Sequence, residues 1–164
     1  MNLIVAVTKN WGIGCDGKLL FSIKEDQQHF KAKTIGKVVV MGHTTYKSLP
    51  NSRRPLPNRT NIVLSRNQNL LIPDVITCSS FEELDNTLTE YKQEDIFIIG
   101  GEEIYNQLLD RCTIAYITKI YAEHPANKFF PNLDEMAEWV LAEESETKYH
   151  NSIEYRFCVY LKEK

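Results

Sequence analysis

At 164 residues, 43% of them hydrophobic and 25% charged, the chain is long enough for one sizeable core and too short for two ordinary domains, so residues 1–164 read as a single soluble globular domain. A net charge of −3 argues against general nucleic-acid binding, and no apolar run approaches the length of a membrane span. The four cysteines and four histidines are scattered, with no CxxC pair or other metal-ligand spacing, which points to a reduced, cytoplasmic protein without structural zinc.

Leu3 to Val7 is an apolar run at the start of the chain, preceded by no basic segment and followed by no cleavage site. It reads as a buried strand rather than a signal peptide. A loop with Gly12, Gly14 and Gly17 follows; Cys15 within it has no histidine close in sequence and reads as a passive thiol. Ser22 to Lys33 then reads as an amphipathic helix that stops near Gly36 with Lys31 and Lys33 in its last turn. Ser22-x-x-Glu25 has the form of a capping box, which gives Glu25 a local role. Asp26 has none. It shares the face of Ile23 and Phe30, three and four residues away, so it projects toward the interior. A half-buried carboxylate must find donors or shift its pKa, as ligand-binding acids do. A solvated first-turn acid favoured by the helix dipole is the competing reading of this residue alone.

Val38 to Met41 is a second buried strand, Thr44 to Ser48 a short helix ended by Pro50, Thr60 to Ser65 a third strand and Val75 to Cys78 a fourth. Ser80-x-x-Glu83, a second capping box, opens a helix through Leu84, Leu88 and Tyr91. Ile96 to Ile99 is a fifth strand, and a helix through Ile104 and Leu108 follows Gly100-Gly101. Thr113 to Tyr121 alternates more, and Trp139 to Glu143 and Ile153 to Leu161 add two strands with no helix between them. The order predicts an α/β domain: a mostly parallel central sheet with an antiparallel C-terminal edge and flanking helices.

In open α/β sheets ligands lie outside the carboxyl ends of the strands. Gly100-Gly101 would let a phosphate approach the backbone at a helix start, although a bare Gly-Gly turn also serves packing alone. Gly42-His43-Thr44-Thr45 puts donors at another helix start, and Ser65-Arg66 offers a hydroxyl and a guanidinium. Neither GxGxxG nor GxxxxGK[ST] occurs, so a standard dinucleotide fingerprint and a P-loop are both unsupported. Arg53-Arg54-Pro55-Leu56-Pro57-Asn58-Arg59 is a proline-stiffened basic loop able to hold a carboxylate, or else a solvated turn.

Taken together these segments resemble dihydrofolate reductase. The resemblance rests on Ile4-Val5-Ala6, Asn10-Trp11-Gly12-Ile13-Gly14, Asp26 with Phe30-Lys31, Val40-Met41-Gly42, Thr44-Thr45-Tyr46-Lys47-Ser48, Arg54-Pro55-Leu56-Pro57-x-Arg59, Asn61 to Ser65, Ile98-Ile99-Gly100-Gly101-x-x-Ile104-Tyr105 and Phe130-Pro131, in order along nearly the whole chain. It implies hydride transfer from NADPH to 7,8-dihydrofolate, giving tetrahydrofolate for one-carbon metabolism. Asp26 would be the single acid of the pterin pocket, supported by Thr118. The carbonyls of Ile4 and Ile99 would edge that pocket, with Phe30, Leu49 and Leu56 against the ring and benzoyl group, and Val5, Lys31, Arg54 and Tyr105 nearby. Arg59 would take the glutamate carboxylate. Ala6, Ile13, Gly14, Gly17, Lys18 and Leu19 would border the nicotinamide. Gly42, Thr44, Thr45, Gly100 and Gly101 would hold the pyrophosphate, with Ile99, Glu102, Glu103, Ile104 and Tyr105 around them. His43, Leu64, Ser65, Arg66 and Ser79 would surround the 2′-phosphate end.

The same resemblance implies a monomer open to antifolate inhibitors, with no nucleic-acid or membrane partner and no metal. Two positions depart from the pattern. Leu20-Phe21 stands where most relatives have Pro-Trp, and Asn127-Lys128 where many bacterial ones have an acid and a threonine, so the pocket water and the mobile loop are expected to be organised differently. A pterin- or pyrimidine-type reductase, or a nucleotide-binding module on the same fold, are the alternatives; Asp26 with Phe30 and Arg59 favours folate.

Overall fold

The computed structural model describes residues 1–164 and begins with β1 (Asn2–Val7), which runs into the short β2 (Gly12–Gly14) and the helix α1 (Lys24–Thr34). β3 (Val38–Gly42), α2 (His43–Ser48), β4 (Thr60–Leu64), β5 (Ile76–Cys78) and α3 (Phe81–Leu88) follow, then β6 (Ile96–Gly100), α4 (Glu102–Leu108) and β7 (Ile114–Ile120). The chain closes with β8 (Lys128–Phe129), β9 (Trp139–Glu144), β10 (Lys148–His150) and β11 (Ile153–Lys162). One sheet runs β10-β11-β7-β1-β6-β3-β4-β5, with β9 also paired to β11. Its pairings from β7 to β5 are parallel, and those made by β11 are antiparallel. The expected mostly parallel sheet with an antiparallel C-terminal edge is therefore the observed one.

The apolar runs are continuous because both faces of the sheet are covered. Successive side chains alternate between two cores. Leu3, Val40, Ile62, Ile98 and Ile117 pack with Leu84 and Leu88 of α3 and with Ile104 and Leu108 of α4. Ile4, Val39, Met41, Val63 and Phe97 pack on the other face with Tyr46, Leu56, Phe30 and Leu49.

One feature of the sheet opens the site. β1 keeps β7 along all six of its residues, from Asn2↔Ile114 to Val7↔Lys119. It pairs β6 only at Asn2↔Phe97 and Leu3↔Ile98. Beyond Leu3 the two strands part, at the point where the chain has gone from β1 to β3 on one side and later from β6 to β7 on the other. This is the crevice that a switch in strand order creates. The Tyr105 hydroxyl fills part of the gap by donating to the Ile4 carbonyl at 2.7 Å.

Two local expectations need correction. Ser22 does not cap α1: the N-cap is Ile23, with no side-chain cap, and the Ser22 hydroxyl accepts instead from Gln27 at 2.8 Å. Ile23 is buried, so packing sets the helix start one residue later, and Glu25 is drawn to the C-terminal strands. The second capping box forms by half. Ser80 accepts from the Glu83 backbone at 3.1 Å, while the Glu83 carboxylate accepts from the backbone and hydroxyl of Ser79 at 2.7 and 2.9 Å. The chain also contains β2, β8 and β10, which the sequence pattern does not reveal.

Candidate active site

Asp26 stands in the first turn of α1, over the carboxyl half of β7. Its Oδ1 accepts from the hydroxyl of Thr118 at 2.6 Å. Thr118 is buried and lies beside Ala6 in the β1–β7 pair, so the acid faces the open crevice. Burial pushes the Asp26 carboxyl above the usual carboxylate range, and the Thr118 hydrogen bond offsets only part of that. Glu25, one residue earlier, behaves in the opposite way. The Tyr155 hydroxyl donates to it at 2.6 Å and Lys148 pairs with it at 3.1 Å. These partners hold its pKa below the usual value. Adjacent acids with opposite shifts have different tasks, and the environment assigns them.

The wall around Asp26 is apolar. Ile4, Leu56, Phe30, Leu49 and Ile99 belong to one cluster on the α1 face of the sheet. Val5 packs in the opposite core, so its side chain is no part of this wall. Lys31 is exposed at the rim. At the far end of the wall the Arg59 guanidinium lies 5.8 Å from the centre of the Phe30 ring. It donates to Thr34 Oγ1 at 3.1 Å and to the Pro57 carbonyl at 3.0 Å, and it meets no carboxylate. Burial, and then Arg53, lower its pKa, as befits a cation short of an anion. Arg54 is engaged differently: it donates to the Lys47 carbonyl at 2.8 Å and to the Asn51 side chain, tying the loop to α2.

On the other side of the crevice three glycines bring α2, β6 and α4 together. A Cβ on Gly101 would lie 3.3 Å from Thr45 Oγ1, one on Gly42 3.3 Å from Ile104, and one on Gly100 3.3 Å from the Tyr105 ring. Gly100 also has φ +123°, which only glycine adopts readily. Gly42 and Gly101 are the N-caps of α2 and α4, and neither helix has a side-chain cap. The first amides of both helices are thus left to an outside acceptor. Thr44 is exposed in the first turn of α2. Ile104 and Tyr105 are buried beneath the glycines and support them rather than line the opening.

Arg66 projects at the end of β4 and is 91% exposed, held at 3.0 Å by Glu103. Ser65 and half-buried His43 stand near the same strand end, and burial, then Lys47, lowers the pKa of His43. Leu64 packs against the α3–α4 core. Ser79 is occupied by Glu83, and Glu102 accepts from the Phe129 backbone at 2.6 Å.

The loop after β1 carries the remaining expected residues. Ile13 and Gly14 lie in β2, which pairs with β8 through Gly12↔Phe129 and Gly14↔Lys128. Gly17, Lys18 and Leu19 ride on an exposed tip closed by Cys15 and Lys18, with Leu19 81% exposed. Asn127 holds the tip: it accepts from the Asp16 backbone at 3.3 Å and donates to the Asp16 carboxylate at 3.0 Å. Phe21 packs edge-on to His124, with ring centroids 5.6 Å apart. The sequence marked Asn127 and Phe21 as departures but held no signal for these partners, nor for the Tyr155–Lys148 grip on Glu25.

A family model described as dihydrofolate reductase matches residues 1–162. The chain is similar to a dihydrofolate reductase of Haemophilus influenzae, 40% identical over 138 residues, covering 84% of this chain and 82% of that protein. It is 39% identical to one of Drosophila melanogaster over 142 residues, 79% of this chain and 78% of that protein. With one of Aedes albopictus it shares 32% over 179 residues, covering 98% and 96%.

Proposed function

The chain belongs to the dihydrofolate reductase family, the oxidoreductases that reduce dihydrofolate, and on that premise we propose that it takes its hydride from NADPH and uses Asp26 as the one acid of the pterin pocket. The observation that carries the reading is the layout of the wall. A half-buried acid on a buried threonine stands at one end, apolar side chains follow, and an arginine without an anion closes the other end. That sequence of chemistries matches a hydrogen-bonding pterin, a benzoyl group and a glutamate carboxylate.

Ionised Asp26 accepts from the 2-amino group and the neighbouring ring nitrogen and favours the cationic character that the pterin gains. It acts electrostatically or through water, since in this family the acid lies away from the N5 atom that receives the proton. Thr118 keeps the carboxylate aimed. Phe30, Leu49, Leu56, Ile4 and Ile99 exclude water, so the charge acts in a low dielectric, where it is worth most. Arg59 orients the substrate by its carboxylate.

Support for the cofactor comes from the close approach of α2, β6 and α4, where a Cβ on Gly42, Gly100 or Gly101 would press on Ile104, Tyr105 or Thr45 at 3.3 Å, and from the starts of α2 and α4, which have no side-chain cap. NADPH supplies the hydride when bound. Ser65, Arg66 and His43 are the groups available for a 2′-phosphate. The reading includes a monomer in the cytoplasm whose pocket also takes antifolate inhibitors; no helix of the structure is long and apolar enough to cross a membrane. The test is direct. NADPH absorbance should fall when dihydrofolate is added to the purified protein, and a protein that binds NADPH without oxidising it overturns the assignment.

A further inference from the structure

The start of α1, where Asp26 stands, is the poorly held end of that helix. Of the residues of α1 only the last, Thr34, is buried, and the first turn has no side-chain cap, because Ser22 is taken by Gln27. A first turn without a cap frays unless tertiary contacts replace it. Asp26 nevertheless stays partly buried there and bonded to Thr118 at 2.6 Å.

The replacement contacts come from β10 and β11. Ile23, the N-cap residue, shares a small apolar cluster with Ile120 and Tyr155, and Tyr155 is 1% exposed. From inside that cluster the Tyr155 hydroxyl donates to Glu25 at 2.6 Å. Burial, then Glu25, pushes its pKa up to about 12, so it remains a donor at any ordinary pH. Lys148, opposite Tyr155 in the β10–β11 pair, meets the same carboxylate at 3.1 Å and is shared with Glu146 at 3.0 Å. One turn further along α1, His29 stacks on Phe157 with ring centres 4.2 Å apart, and Phe157 lies opposite Thr118 in the β11–β7 pair. Lys33, the next cation along the helix, lies over the Tyr116 ring. Tyr155 and Phe157 are two apart on β11 and so share the face that carries Thr118. Lys119 and Arg156 alternate with these residues, point to the other face, and are spent on Asp134 and Glu144.

We propose that Tyr155 is a positioning residue for Asp26: through Glu25, and with Lys148, it pins the first turn of α1 to β11 and keeps Asp26 covered and aimed at the pterin site. The inference rests on the reading of Asp26 as the pterin acid and adds the residue that holds it in place. With the grip gone the first turn lifts, water reaches Asp26, and the burial that raises its pKa is lost. A carboxylate in contact with water is also worth less to the pterin.

The experiment follows the Asp26 carboxyl by NMR titration of the ligand-free full chain carrying isotope-labelled aspartate, its signal assigned by loss in Asp26→Asn, beside single-turnover hydride transfer. Tyr155→Phe removes only the hydroxyl. It should move the Asp26 midpoint down by about half a pH unit or more, toward the ordinary 3.8, and slow hydride transfer about fivefold. Glu25→Ala should do the same, whereas Glu25→Gln, which keeps an acceptor for Tyr155, should stay close to wild type. Tyr160→Phe removes a hydroxyl from the same strand that donates to Asp134 at 2.6 Å, and it should leave Asp26 unmoved. An unmoved midpoint in Tyr155→Phe, an equal shift in Tyr160→Phe, or equal effects of Glu25→Gln and Glu25→Ala would each overturn the proposal, the last by assigning the effect to the charge of Glu25. Full turnover in Asp26→Asn would instead overturn the reading on which it rests.

Discussion

Asp26→Asn should make the fold more stable at neutral pH while removing most of the turnover. In the folded protein, burial disfavours the carboxylate. A hydrogen bond to a charged acceptor contributes about 1.5–3 kcal/mol, yet the net direction of the Asp26 shift is upward, so the Thr118 bond does not cover the cost of burial. A carboxyl whose folded pKa exceeds its ordinary value of 3.8 holds its proton more tightly when folded. The penalty is absent below that ordinary value and grows as pH rises through the folded pKa.

Asparagine keeps the volume and an acceptor for Thr118 but loses the charge. The expected gain is on the order of 1 kcal/mol at neutral pH, or about 2–4 °C in Tm for a domain of this size. At about pH 4 and below the gain should shrink, because wild-type Asp26 is then also becoming neutral. Hydride transfer should fall about 100-fold or more, the usual scale for losing an electrostatic stabiliser in a water-poor site. The assay is thermal unfolding of both proteins without ligand at the two pH values, beside single-turnover hydride transfer. A variant less stable than wild type at neutral pH, or a gain that ignores pH, would show that Asp26 is a satisfied structural acid and would refute the reasoning.

Arg59→Ala should weaken folate binding about 10- to 150-fold, the scale of one charge-assisted contact, while leaving NADPH affinity and the affinity for a pteridine lacking glutamate nearly unchanged; equal weakening of both pteridines would remove Arg59 from the role of clamp. Arg66→Ala should lower NADPH affinity about tenfold and barely alter NADH, and Glu103→Gln, by releasing Arg66 from its ion pair, should tighten NADPH; an unchanged ratio of the two cofactors in either variant would assign the 2′-phosphate to other groups. Gly100→Ala should cost about 1–3 kcal/mol, because φ of +123° is strained for alanine and the new methyl meets the Tyr105 ring at 3.3 Å; chemical denaturation measures it, and a neutral substitution would mean that the β6 end can relax.

What the sequence discloses is what short-range pattern carries. Leu3 to Val7, Val38 to Met41, Ile62 to Leu64 and Ile96 to Ile99 are continuous apolar runs, and they make β1, β3, β4 and β6 legible as buried strands. β2 and β8 are three and two residues long and exist through each other, across more than a hundred residues of chain, so no local period announces them. The same limit explains the capping box at Ser22. A local motif promised a bond between neighbours, and Tyr155 and Lys148 took Glu25 instead. In the candidate site, Asp26 was visible as an acid on an apolar helix face, whereas Thr118 became a candidate only through the family resemblance. Ser79 and Arg54 have suitable chemistry for ligands, but the fold spends them on Glu83 and on Lys47 and Asn51. Residue type supplies candidates; only tertiary partners show which remain free.

Glu25 and Asp26 make the point within a single dipeptide. The helix advances about 100° per residue, so one acid turns toward β10 and β11 and the other toward β7. Glu25 meets a phenol and an ammonium and is held as a charge that ties α1 to the C-terminal strands. Asp26 meets one hydroxyl among apolar walls and keeps unused acceptor capacity facing the crevice. A carboxylate with all its partners inside the protein has nothing left to offer a ligand, and one with none would be neutral. Asp26 lies between these limits: one donor aims it, and burial leaves it in want of more. The grip on Glu25 fixes the helix start on which that balance depends.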